Sequence, residues 1–325
     1  MKPEQTALRL GTAVLIGAIL LRLLSGISDS AAQALPQTEL AQVLLFLQTG
    51  RLAGPETLQI TPPATEPAPT ETQAPTEPPA PAAIFTAQQA EQIQLRNATD
   101  YSMDLAALLT QPLDWELTGE APTVLILHTH GTESYADAED FRSTDETENM
   151  LAVGDRLAAL LEAEGIGVLH DRTLHDLDSY NGSYAHARAS LEQYLAQYPS
   201  IRLVLDLHRD AAEDASGQQI DYTVTTPAGE AAKLMLVLGT DAGGFHHPRW
   251  QENMALAVKL QASLETTCPG ICRPIYVRTS RFNQDLSTGA LLIEVGAAGN
   301  TLSEALLATD ILAQGIVALA HGANT

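Results

Sequence analysis

Three short stretches carry the residue types that could hold a metal ion and move a proton: His128-Thr129-His130-Gly131-Thr132-Glu133, Asp206-Leu207-His208-Arg209-Asp210 and Glu294-Val295-Gly296. Two imidazoles and a carboxylate are a standard catalytic zinc set, in which three protein ligands leave a fourth position open for water. A further carboxylate beside that water could take its proton during attack on a carbonyl whose oxygen the metal polarises. The candidates are His128 or His130, Glu133 or Glu146, His208, and Glu294. Each has a plainer explanation. A histidine at a strand end is usually a surface or hydrogen-bonded residue, Glu133 could be a solvated loop residue, and Glu146 could be the third helical residue of a capping box with Ser143. Glu294 is harder to explain away, because a carboxylate between Ile293 and Val295 is costly to bury unless it is paired.

These residues follow runs that read as strands: 124–130 (VLILHTH), 166–170, 201–208 (IRLVLDLH), 234–239, 274–278 and 290–295. Between the strands, 146–164 places Met150, Val153, Leu157 and Leu160 at helical spacing, and 184–197, 251–266 and 301–319 follow the same period. Such alternation predicts an α/β fold, a single twisted, mainly parallel sheet between helices. In such sheets ligands sit outside the carboxyl ends of the strands. Three strands therefore bring two imidazole sites and a carboxylate to one edge. The segment 92–119 is expected to pack on the edge of the sheet.

The remaining composition narrows the field. With 17 Lys+Arg against 40 Asp+Glu the net charge is −23, and no two basic residues are adjacent, which argues against binding nucleic acid by phosphate neutralisation. No nucleophile elbow, phosphate-binding glycine loop or H-E-x-x-H helix is present. Cys268 and Cys272 are too few for an all-cysteine zinc site and read as a local disulfide. All nine histidines lie at or beyond His128.

The first third of the chain reads as an anchor and a spacer. Lys2 and Arg9 precede an apolar run that Arg22 interrupts, so 7–27 could span a membrane with the remainder outside. A cleaved signal ending near Ala32-Gln33-Ala34 is the alternative. Residues 38–51 could form a short amphipathic helix, and 61–83, rich in proline, should be extended at about 3.1 Å per residue, reaching roughly 70 Å. The expected organisation is anchor 1–30, juxtamembrane region 31–60, linker 61–83, lead-in 84–120 and catalytic domain 121–325.

The motifs VLILHTHGTESY, SYNGSYAHAR, LVLDLHRDA, GGFHHPRWQENMALA and RFNQDLSTGALLIEVGAAGNT, in that order, resemble the stage II sporulation protein P family of endospore-forming bacteria over about 93–320. The resemblance implies a zinc-dependent N-acetylmuramoyl-L-alanine amidase that cuts peptidoglycan between the lactyl group and the first L-alanine of the stem, with associated cross-link endopeptidase activity. It also implies work at the sporulation septum during engulfment, on the extracytoplasmic side of a single-pass membrane anchor. The implied partners are a lytic transglycosylase, stage II sporulation protein D, and a membrane protein, stage II sporulation protein M. Position by position, the resemblance places the zinc histidines on His130 and His208 and the catalytic glutamate on Glu294. It favours Glu133 over Glu146 as the carboxylate ligand. Arg209, Arg281 and Asn283 are the expected substrate contacts, and His246, His247 and Trp250 could line the same groove.

Overall fold

Alternation of apolar residues along the strands builds a sheet with two unlike faces. The structure is a computed structural model that describes residues 85–113, 116–119 and 121–322, all within the unit Glu77–Thr325. The expected anchor, amphipathic helix and proline-rich linker lie outside the described residues. The elements run β1 (Leu95–Asn97), α1 (Leu105–Thr110), β2 (Val124–Leu127), α2 (Met150–Ala163), β3 (Val168–His170), α3 (Ser183–Gln197), β4 (Leu203–Asp210), β5 (Thr223–Thr226), β6 (Gly229–Ala232), β7 (Leu234–Gly239), α4 (Trp250–Thr267), β8 (Ile275–Arg278), β9 (Ala290–Ala297) and α5 (Leu302–Gly322).

Seven strands form one sheet in the order β1-β8-β7-β9-β4-β2-β3, and β5-β6 is a separate hairpin. Every neighbouring pair in the large sheet is parallel except β7 with β9. All six strands read from the sequence are present. The lead-in segment supplies β1 at the sheet edge, paired with β8 through Arg96↔Tyr276. β1, α1 and the β5-β6 hairpin are too short for periodicity to reveal.

On one face, Leu203, Leu205, Leu207, Leu234, Leu236, Leu238, Leu291, Ile293 and Val295 join residues of α2, α4 and α5 in the main core. Each fully buried Leu or Ile contributes about 1.5–3 kcal/mol. The opposite face is covered over β2 and β4 by α3, through Ala187 and Leu191 against Leu125, Leu127 and Val204. Past β4 that face carries only a small cluster of Met235, Val237 and Leu292, and it opens as a groove.

Local signals set the helix ends. Asn149 caps α2 by accepting from Leu151 N at 2.9 Å, and Gly165 at φ +77 closes it, with Ile166 N reaching back to Leu161 O. The helix therefore starts four residues after Glu146, and the Ser143–Glu146 capping box does not form. α5 is long and apolar enough to cross a membrane by length and composition, yet Ala308, Leu312 and Ile316 are buried in the core. Gly315 lets α5 close on α4, since a Cβ there would lie 2.6 Å from Leu264 Cδ2. Cys268 and Cys272 are free thiols packed beside the core, which corrects the expected disulfide.

Candidate active site

Residues two apart on a strand share a face, so β4 presents Asp206 and His208 together, and register sets His208 directly beside Glu294 of β9. The β4–β9 register shifts after His208, and Gly296 adopts φ +75. Irregularities of this kind re-aim side chains at a strand end. β2 stops at Leu127, so the His128–Glu133 motif is a turn beyond the strand, with Glu133 N donating to His130 O at 3.1 Å. That turn brings His130 and Glu133 over β4. His130, Glu133, His208 and Glu294 all line one groove, with Tyr180 and Tyr184 at its rim.

His208 is the hub. Its Nδ1 is 3.5 Å from Glu133 Oε2, and its Nε2 is 3.0 Å from Asp206 Oδ1 at an angle that leaves Nε2 without a hydrogen bond. Burial works against the imidazolium, but Asp206 and Glu133 outweigh it and raise the His208 pKa well above the ordinary value. Burial would likewise raise the Glu133 and Asp206 carboxyls, and contact with His208 reverses that and lowers both. His130 stacks on Tyr180 at 4.1 Å between ring centroids and meets His208 edge-on at 5.3 Å. Its Nδ1 is buried without a partner, 3.8 Å from Asp176 Oδ2. Burial, then the neighbouring His208, lowers its pKa. Glu294 Oε2 is also buried without a partner, and loss of water, against His208 but reinforced by Glu133 and Asp210, raises its carboxyl to about 8.

The two alternative ligands fall elsewhere. His128 turns to the helix-covered face, where Nδ1 meets Leu207 O at 3.1 Å and Nε2 meets His170 Nε2 at 2.8 Å. Burial pushes its pKa down to about 3. Glu146 is exposed and pairs with Arg172. Arg209 is buried beside the groove, but its guanidinium is engaged by Ser134 O and Phe141 O, which braces the turn carrying Glu133. Asn283, at φ 56, donates to Tyr184 O and holds a turn. Arg281 lies over Phe245 at 5.5 Å, beside a cavity of about 370 Å³ that adjoins the groove through Tyr184 and Phe282. Trp250 stacks on Tyr101, and neither His246 nor His247 lines the groove.

Three contributors were not foreseen as site residues. Asp206 binds Thr129 N and Oγ1 as well as flanking His208. Its position two residues before a strand-end histidine is a signal that the sequence carries. Asp176 and Tyr180 come from the 171–182 loop, which has no period to read.

Among the described residues no three His, Cys, Asp or Glu side chains converge on one point. Buried polar atoms are nearly always partnered, however, and here His130 Nδ1, His208 Nε2 and Glu294 Oε2 are three buried, unpartnered atoms on one groove. With Glu133 beside them, the residues fit a zinc ion by type and number.

Solved structures to which part of this chain is similar include three amidases. The N-acetylmuramoyl-L-alanine amidase AmiC2 of Nostoc punctiforme is 17% identical, with 64% of this chain and 97% of that chain covered and a TM-score of 0.38. The CwlD amidase of Clostridioides difficile, solved with the GerS lipoprotein, is 16% identical over 61% and 93%, with a TM-score of 0.39. The catalytic domain of CwlV, an N-acetylmuramoyl-L-alanine amidase from Bacillus (Paenibacillus) polymyxa var. colistinus, is 14% identical over 61% and 94%, at 0.38. The stage II sporulation protein P family profile matches residues 54–317, and the chain belongs to that family. Stage II sporulation protein P of Bacillus subtilis (strain 168) is 30% identical over 207 residues, 58% of this chain. The chain spans about half the length of that relative, 49%.

Proposed function

We propose that this chain is a zinc-dependent N-acetylmuramoyl-L-alanine amidase that remodels septal peptidoglycan during sporulation. One observation carries the reading: His130, Glu133, His208 and Glu294 share a groove, and His130, His208 and Glu294 each leave a buried polar atom there without a partner. His130, Glu133 and His208 would hold the ion. Zinc, when bound, supplies a Lewis acid for the amide carbonyl and acidifies water. Glu294 takes the proton of the attacking water and delivers it to the leaving amine. Its buried Oε2, which has no partner, is free to accept and release a proton. Asp206 orients His208, Arg209 positions the Glu133 turn, and Asn283 positions Tyr184. Arg281, paired with Asp285 and lying over Phe245, would contact the substrate from the adjoining cavity. Endopeptidase activity, an N-terminal membrane anchor, an extracytoplasmic site of action and the stage II sporulation proteins D and M as partners belong to the same reading, supported by family membership.

The test uses the full chain. Purified protein should carry zinc, and digestion of sacculi should create a free lactyl carboxyl and an L-alanine amine detectable by mass analysis. His208→Ala or chelation should abolish that release; unchanged release would sink the metal mechanism. A second reading, a peptidoglycan-binding module that recruits a transglycosylase without cutting, is favoured by the ion-paired state of His208 between two carboxylates. Zinc-free protein that binds sacculi without digesting them would decide for it.

A further inference from the structure

The groove extends beyond the four site residues, across β9, β7 and β8 to β1. Register aligns Arg96, Tyr276, Val237, Leu292 and Asp206 in one row on the open face. Arg278 follows Tyr276 two positions later on that face, and Arg96, Tyr276 and Arg278 line the same groove as Glu294. Both guanidinium groups lie over the Tyr276 ring, Arg96 at 4.3 Å and Arg278 at 4.6 Å from its centroid. Arg142, Arg172, Arg188, Arg273 and Arg281 each pair with a carboxylate. Among the described residues the Arg96 and Arg278 side chains form no ion pair and donate no hydrogen bond.

In a chain with 40 acidic residues, two neighbouring arginines without a carboxylate are conspicuous. Two like charges held at one ring repel each other, and an anion bound to both would offset that repulsion. The ring supplies cation–π attraction and both side chains line the groove, and arginine forks match a carboxylate with two parallel hydrogen bonds. The floor between this pair and Glu294 is apolar, formed by Met235, Val237 and Leu292. β1 is three strand spacings from β9, about 14 Å, and its row meets β9 at Leu292, about 7 Å along the strand from Glu294; the resulting span of roughly 16 Å is four to five residues of extended peptide at about 3.3 Å each.

We propose that Arg96, Tyr276 and Arg278 form a carboxylate-binding subsite that holds an acidic peptide about four to five residues from the amide cleaved at Glu294. The proposal rests on the hydrolase reading for the position of that amide, and it assigns the substrate as a peptide with free carboxylates. The phosphate of a polyol polymer would find the same charge but would leave the apolar floor unused.

The test compares an N-acetylmuramoyl tetrapeptide bearing free carboxylates with the same compound fully amidated. Binding to the full chain is measured by calorimetry in chelator, so that nothing turns over, and cleavage is measured separately with zinc. The wild type should bind the free acid about tenfold more tightly than the amide, equivalent to about 1.4 kcal/mol. Arg96→Met with Arg278→Met should bind both compounds alike, and Arg96→Lys with Arg278→Lys should recover part of the preference. Thermal melting of each variant guards against unfolding. Equal binding of both compounds by the wild type, or a preference that survives in the double Met variant, overturns the proposal. So does inorganic phosphate binding that the double variant loses while its peptide preference stays. If the wild type binds the acid selectively yet cleaves neither compound, the subsite stands and the hydrolase reading fails.

Discussion

Leu203, Leu205 and Leu207 point to one face of the sheet, while Val204, Asp206 and His208 point to the other, and the two faces solve opposite problems. The helix-covered face is apolar, and its few polar intruders are satisfied: His128 by Leu207 O and His170, and Lys259 by Leu108 O. The groove face lets water in and leaves His130 Nδ1, His208 Nε2, Glu294 Oε2 and Arg273 Nη1 buried but unpartnered. His128 and His130, two residues apart, show the difference most directly. Between these two residues, what separates structural from reactive polarity is whether the ring nitrogens already have partners.

The comparison breaks most sharply at Glu294. Glu294→Gln keeps the shape and removes the proton carrier, so digestion of sacculi should fall about 10²–10⁴-fold, with little change in melting temperature. A loss below tenfold would show that another group moves the proton.

Lys259 tests the covered face. Burial pushes its ammonium down to about 8, against about 10.4 in an unfolded chain. The charged form costs the fold, so the wild type carries the full penalty below pH 8 and loses it as pH rises towards 10.4. The stability gap between Lys259→Met and the wild type should therefore shift in favour of the wild type over that window, by up to about 3 kcal/mol. Urea titrations at both ends of the window measure it, and a gap independent of pH would mean that water reaches the ammonium.

The smallest effect comes from Gly154, inside α2. Replacing a helical glycine by alanine ordinarily stabilises by about 0.5–1 kcal/mol. A Cβ at Gly154 would lie 2.4 Å from His170 Nε2 and 2.5 Å from His128 Nε2. Gly154→Ala should instead destabilise by about 1–3 kcal/mol, read from the shift in urea midpoint. A stabilised variant would show that the histidine pair is loosely held.

Much of this was legible in advance. Short β-branched or Leu-rich runs marked six of the seven strands of the large sheet, and 3.6-residue spacing marked four helices, because each element buries a continuous apolar surface. That His130, Glu133, His208 and Glu294 line one groove followed from their places at or just beyond the ends of neighbouring parallel strands. The choice between His128 and His130 was not legible from spacing, since both have the same parity and only the turn after Leu127 sends their rings to opposite faces. Nor was Glu146, whose separation from the site depends on α2 starting at Met150. The arginine pair also escaped the sequence, because Arg96 lies in a three-residue strand.

Sequence alone determined the alternation that makes a parallel sheet, the strand ends that carry imidazole and carboxylate, and the helix stripes that cover one face. Only the tertiary structure decided that the other face stays open past β4. Local pattern encodes which residues share a side, but strand order decides what lies across from them. Placing β7, β8 and β1 beyond β9 sets Tyr276 and two arginines at the far end of a groove whose near end holds Glu294.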